Sequence, residues 1–184
     1  QNTESLVMKA PMNGVVSVRE NRDGAGGYWW GMQLPPYRVG DTKAQGNPET
    51  IVDKLATGGH STRDIVFSRD GATMYVSVGS SSNVAEGLEK LSTAALRKWI
   101  AEKPPGAIWG YEFERAAVLA FDLQGKGRRI FASGVRNCVG MAIQPSNGEL
   151  WCSTNERDLL GDDLVPDYIT RVRENRFYGW PWYY

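Results

Sequence analysis

The sequence predicts an all-β fold: many short strands forming an incomplete, roughly three-blade portion of a β-propeller, with one helical insertion. Three observations carry this expectation. Turn formers and strand formers are abundant together, with 21 Gly, 9 Pro, 7 Trp and 8 Tyr among 184 residues. Gly and Pro punctuate turns, whereas Trp and Tyr favour the pleated surface of strands. One hairpin pattern occurs twice, as IVFSRDGATMYVS and as MAIQPSNGELWCS. Once the helical segment between the two is set aside, the repeat shrinks to roughly the 40–50 residues of a four-stranded blade.

Each element follows from local pattern. Val15–Arg19 and Tyr28–Trp30 read as early strands, before Pro35-Pro36 and a polar stretch to Pro48. Ile51–Leu55 precedes Gly58-Gly59-His60, where the two glycines permit a tight turn. Ile65–Phe67 and Met74–Val78 flank a turn at Ser68–Gly71, which ends in the Asp-Gly hairpin signature. In the returning strand, Tyr75 and Ser77 share one face and Met74, Val76 and Val78 the other. Residues 84–105 form the insertion: Leu88, Leu91, Ala95, Leu96, Trp99 and Ile100 recur at helical spacing, Ser92 can cap, and Pro104-Pro105-Gly106 ends the run. Ala117–Asp122 and Arg129–Ala132 are strands across a turn at Gly125–Gly127. The second hairpin comprises Val139–Ile143, a turn over Gln144–Gly148, and Glu149–Ser153. Asp167–Arg173 alternates like a strand, and Tyr178-Gly179-Trp180-Pro181 closes one. Residues 1–184 are therefore read as one partial propeller domain.

Composition excludes several functions. Lys plus Arg and Asp plus Glu both number 21, so the formal net charge of zero argues against a general binder of nucleic acid or anionic membranes. A 41% hydrophobic content supports a sizeable core, and no apolar run approaches the roughly 20 residues of a membrane span. The first residue is Gln rather than Met and no signal peptide is visible, so the N-terminus is read as processed, trimmed or the edge of a fragment. Cys138 and Cys152 lack the neighbours of a zinc site and are read as reduced or unpaired, a disulfide being the alternative. His60 is the only histidine, which excludes a mechanism needing two in one chain.

Four stretches, 58–80, 116–145, 149–175 and 177–184, carry a resemblance. Their motifs are His60-x-x-Arg63, Gly134-Val-Arg136-Asn137, Asn155-Glu-Arg157-Asp158, Gly161-Asp-Asp-Leu164 and Tyr178-Gly-Trp-Pro181. In combination the chain resembles the soluble aldose and L-sorbosone dehydrogenases, six-bladed propellers that use pyrroloquinoline quinone and calcium. The resemblance implies a quinoprotein dehydrogenase oxidising a sugar or sugar-derived aldehyde by hydride transfer to the quinone, with a cytochrome or quinone as electron acceptor. It implies a periplasmic or secreted location, no nucleic-acid partner, and a portion rather than the whole of the propeller.

The resemblance also assigns roles. His60 becomes the general base, a task its ordinary pKa near 6.5 suits; the plain alternative is a hydrogen-bonded structural histidine. Arg136 becomes a catalytic and cofactor-binding group beside the quinone oxygens, where an arginine stabilises developing negative charge. Arg63, Asn137 and Trp180 join it as cofactor-binding residues, although Arg63 could pair structurally, Asn137 could fix a turn and Trp180 could simply pack. Calcium is expected near Arg157 and Asp158, largely on backbone carbonyls, because this hard cation takes six to eight oxygens. The family commonly has Arg-Asn-Pro where this chain has Arg-Asn-Cys, and its glucose enzymes have Gly-Pro near Arg157-Asp158. Two other readings stand beside the dehydrogenase: a calcium-dependent lactonase-like hydrolase with His60 activating water, and a catalytically inactive propeller fragment.

Overall fold

A computed structural model describes residues 50–60 and 63–183, together with the backbone of 7–9 and 15–17. The chain divides into two compact units, Gln1–Asp53 and Lys54–Tyr184. In the first, β1 (Val7–Lys9) and β2 (Val15–Ser17) pair antiparallel. The expected strand at Tyr28–Trp30 lies outside the described residues.

The second unit is mostly β. β3 (Ile65–Phe67) and β4 (Met74–Val78) form the first hairpin with Val66 opposite Tyr75. Alternation placed this hairpin correctly because one face is fully buried: Met74, Val76 and Val78 all lie in the core. α1 (Thr93–Glu102) is shorter than the expected insertion over 84–105. Ser92 caps it by accepting from the Ala95 N–H, and Leu88 and Leu91 precede the helix. β5 (Ala117–Phe121) is buried throughout. β6 (Arg129–Ser133), β7 (Cys138–Ile143), β8 (Leu150–Thr154), β9 (Tyr168–Val172) and the two-residue β10 (Arg176–Phe177) follow.

These strands form two sheets, one of five strands in the order β10-β6-β5-β4-β3 and one of three in the order β7-β8-β9. This corrects the expected portion of a six-bladed propeller. The first hairpin does not open a separate blade; β5, β6 and the parallel strand β10 extend it into one wide sheet. The second hairpin gains only β9. Two similar hairpins thus sit in unlike sheets, and among the described residues no ring of blades closes. The arrangement is sandwich-like. β3 and β4 lie against β7, and one core joins Val66, Val118, Ala120 and Phe131 of the wide sheet to Met141, Leu150 and Val172 of the narrow one.

Two further contacts tie the sheets. Asp64, just before β3, accepts from the Ile65 N–H at 2.9 Å through one oxygen and from the Met141 N–H at 2.5 Å through the other. Cys138 and Cys152 are joined as a disulfide across β7 and β8, with Cα atoms 5.9 Å apart. The reading as reduced or unpaired is corrected; Cys138 lies opposite Thr154 and Cys152 opposite Met141, and their spacing in sequence gave no hint that they would join diagonally across the hairpin.

Candidate functional site

The site gathers at the ends of β3, β4 and β7. Gly58 and Gly59 have φ of +81° and +61°, in the left-handed region that suits glycine. A Cβ on Gly59 would lie 2.4 Å from the Ser81 backbone, so only glycine brings this turn against the loop after β4. The His60 N–H then donates to the Ser80 carbonyl at 2.9 Å. Its Nδ1 is 3.0 Å from the same carbonyl and 2.8 Å from the Ser80 hydroxyl. A carbonyl only accepts, so Nδ1 carries the proton and Nε2 keeps its lone pair. Burial holds the His60 pKa below its ordinary value. The Ser80 hydrogen bond opposes this shift, Arg136 adds to it, and Asp158 and Glu112 oppose it. The imidazole is therefore neutral at pH 7.

Gly79 matters through what it leaves empty. A Cβ there would sit 2.5 Å from the His60 Cβ and 2.7 Å from Asn137 Oδ1. The bare backbone lets both side chains close over β4's end. Asn137 is buried, and its Oδ1 has no hydrogen-bond partner among the described residues. A buried acceptor of this kind is costly to leave unmet, and it suits a ligand N–H or O–H.

Arg136 is only 1% exposed and all five of its N–H groups are engaged. Nε donates to the Asn83 carbonyl at 3.1 Å, and Nη2 to Asn83 Oδ1 at 2.8 Å and to Asp158 Oδ2 at 3.0 Å. Nη1 donates to the carbonyls of Asn155, at 3.3 Å, and of Glu156. Arg136, expected beside a quinone oxygen, here clamps the loop after β8 to the loop after β4. Its influence on His60 is electrostatic.

Around Arg157 and Asp158, where calcium was expected, the Asn155 and Glu156 carbonyls accept from Arg136 and the Asp158 carbonyl accepts from the Asn83 amide. Arg157 brings another positive charge, and the Asp158 side chain is 72% exposed. Among the described residues no group of three or more His, Cys, Asp or Glu stands together to hold a metal.

Trp180 is fully buried, packed with Ile108 and Ala116, and its Nε1 donates to the Asn83 carbonyl at 3.0 Å. The ring expected to contact a cofactor is wholly enclosed within this core cluster. Arg63 reaches back to the carbonyls of Ala56 and His60. Burial, then neighbouring Arg115, brings its pKa down to about 10.

Sequence reasoning missed three residues that build the site. Asn83 is the hub described above, and its amide also pairs with the Asp158 backbone in both directions. Arg115, buried just before β5, donates to the carbonyls of Thr57, Gly58, Gly79 and Ser80, gripping both sides of the His60 turn. Glu112, fully buried, accepts from the Ser81 N–H at 3.1 Å and from the hydroxyls of Ser81 and Ser82. The only signal for these two was a pair of charges three apart, entering a stretch that turns wholly apolar. A surface concavity of about 390 Å³, lined by Thr170, Arg171, Arg173, Arg176, Phe177 and Tyr178, shares no residue with this site.

Comparison with known proteins gives the family. A protein of Borreliella burgdorferi (strain ATCC 35210 / DSM 4680 / CIP 102532 / B31), described as "Uncharacterized protein", is 36% identical over 167 residues, which are 90% of this chain and 33% of that protein. The chain thus spans about a third of the length of that curated relative. A solved structure described as "Iodide structure of Trichoderma reesei Carbohydrate-Active Enzymes Family AA12" aligns with a TM-score of 0.46 and 20% identity, covering 68% of this chain and 30% of that one. A family model described as TrAA12-like matches residues 36–169, more than half of the chain. That match corrects the expected membership of the soluble aldose and sorbosone dehydrogenases: the shared motifs are short turn and strand-end patterns, whereas the family model runs continuously over 36–169 and takes in four of the five. The chain belongs to the TrAA12-like family.

Proposed function

We propose that this chain supplies the proton-accepting part of the active site of a carbohydrate-active oxidoreductase, with pyrroloquinoline quinone as hydride acceptor. The observation that carries the reading is the placement of His60: its Nδ1 is held by the Ser80 carbonyl, and across the bare Gly79 backbone lies an unmet buried acceptor on Asn137. Family membership supports the carbohydrate and redox parts of the reading.

The residues fit one edge of such a cofactor. Asn137 Oδ1 would accept from an N–H or O–H of the bound group. Cofactor-carboxylate contacts are not assigned to Arg63, which donates to the Ala56 and His60 carbonyls, or to Arg136, whose donors are taken by backbone carbonyls, Asn83 Oδ1 and Asp158 Oδ2. When bound, the quinone supplies a two-electron sink for a hydride from the substrate carbon. His60 Nε2 would take the hydroxyl proton of the substrate alcohol, leaving the hydride on carbon for the bound acceptor to remove. Ser80 keeps the tautomer that makes Nε2 the base, and its carbonyl steadies the imidazolium that forms. Arg136, a positioning residue, keeps a positive charge nearby and so favours release of that proton.

The test is dye-linked oxidation of a panel of aldoses by the 184-residue chain, with and without added quinone. Quinone-dependent dye reduction is expected, and His60→Gln should lower it by about 10²–10⁴-fold. Equal rates in the variant, or no quinone dependence, overturn the proposal.

A further inference from the structure

The concavity set apart from the candidate site is built where the chain crosses from the narrow sheet to the wide one. Thr170 and Arg171 come from β9, Arg173 from the link that follows, and Arg176, Phe177 and Tyr178 from β10 and the residue after it. Asn175 makes the crossing with φ of +55°. Its N–H donates to the Phe131 carbonyl at 2.8 Å, and the Tyr178 N–H to the Ser133 carbonyl at 2.9 Å. β6 thereby fixes the backbone on both sides of Arg176.

The lining is held in place from several sides, which lowers the ordering cost of binding. The Phe177 ring lies so close over two glycines that a Cβ on Gly106 would come within 1.9 Å of it and one on Gly134 within 2.4 Å. The Tyr178 hydroxyl donates to the Arg171 carbonyl at 2.6 Å and accepts from the Arg173 N–H at 2.9 Å, which ties the β10 side to the β9 side. Arg171 is held by Glu149. What is left over is charge. The lining carries three guanidinium groups and no carboxylate. Glu149 offsets Arg171, and Glu174, which lies in sequence between Arg173 and Arg176, is taken by Arg129 at 3.0 Å. Among the described residues neither Arg173 nor Arg176 stands in an ion pair, so the concavity has two positive charges in excess in a chain whose formal net charge is zero. Burial raises the Tyr178 pKa and the charges of Arg171 and Arg176 oppose the rise, so both guanidinium groups bear on the same hydroxyl.

Charge and shape select the ligand class. A guanidinium presents paired N–H groups that match oxyanions. A carboxylate would cancel one of the two excess charges and offers two oxygens in a single plane. A phosphate monoester carries about −1.5 to −2 near neutral pH and turns three acceptor oxygens in different directions, enough for arginines that approach from different strands. The volume of about 390 Å³ lies in the range of small-molecule pockets, and the rings of Phe177 and Tyr178 give the organic part of an ester a surface to rest on. We propose that the concavity between β9 and β10 binds a phosphate monoester, with Arg173 and Arg176 as its principal ligands and Arg171 beside them. This site is independent of the reading of His60 as a base.

Calorimetric titration of the 184-residue chain at one fixed ionic strength tests this, with glucose 6-phosphate, glycerol 3-phosphate, inorganic phosphate and glucuronate as probes. Saturable binding of at least one ester is expected, about tenfold or more tighter than that of glucuronate. Inorganic phosphate that binds as tightly as the ester supports a site that reads the phosphate group alone, and weaker inorganic phosphate supports one that also holds the organic part. Arg173→Gln and Arg176→Gln, both at exposed positions, should each weaken binding about tenfold, and His60→Gln should leave it unchanged. Near-UV circular dichroism establishes that each variant keeps the wild-type fold. Absence of saturable binding to both esters, glucuronate bound as tightly as either ester, or wild-type affinity in either arginine variant overturns the proposal.

Discussion

Arg136→Met tests whether this arginine is a clamp or a ligand contact. The side chain is 1% exposed, and methionine replaces its stem without its donors. The Asn83 carbonyl keeps the Trp180 indole as a partner, and Asp158, being 72% exposed, regains water at small cost. The carbonyls of Asn155 and Glu156 lose the donor that reaches them. At about 1–3 kcal/mol for each unsatisfied buried group, their loss costs about 2–6 kcal/mol. That brackets the roughly 3–5 kcal/mol typical of breaking a buried charged network. Urea denaturation of the cofactor-free chain, followed by tryptophan fluorescence, measures it directly. The expected result is a midpoint shift at constant slope corresponding to at least about 2 kcal/mol. Asp158→Asn, by contrast, should cost under about 1 kcal/mol. A loss below about 1 kcal/mol in Arg136→Met, accompanied by a collapse in quinone affinity, would refute the clamp and return Arg136 to the ligand.

Three further outcomes are expected. Because burial lowers the His60 pKa, catalytic rate should rise with pH through a value below 6.5 and stay level to neutrality; a rate–pH profile with its acidic limb above 6.5 contradicts the assigned environment. Glu156 is buried with Oε2 unpartnered, and desolvation raises its pKa, so its stabilising contribution is full at low pH and is lost as pH rises through the folded-state value. Glu156→Gln should therefore melt higher than wild type at pH 8 and no higher at pH 4, by calorimetry. Gly79→Ala must displace His60 or Asn137 and should reduce turnover more than stability, compared by dye reduction and by denaturation on one preparation.

The strands were legible because their signal is local. Alternation over five residues and an Asp-Gly turn located β3 and β4, and the same logic located β7 and β8. The sheets were not, because strand partners are chosen by burial across the chain: nothing within Arg176–Phe177 shows that it pairs with Ala132 and Ser133. The site followed the same division. His60 stood out as a lone histidine after two glycines, and the structure sets its Nδ1 against the Ser80 carbonyl and hydroxyl. Arg136 was found but its partners were not, since three of them are main-chain oxygens and all lie 19 to 53 residues away. Main-chain donors and acceptors have no letter in a sequence, which is why Arg115 and Glu112, which bind them, and Asn83, which supplies one, went unseen.

Asp64 acts as a gauge. One carboxylate accepts from an amide in each sheet, so the reach of its single methylene sets how close β3 can come to β7. Glutamate keeps the charge but is one carbon longer, and it cannot satisfy both amides without moving the sheets apart. The spacing that carries His60 toward Asn137 is therefore written in the length of a side chain, at a position where charge alone looks interchangeable.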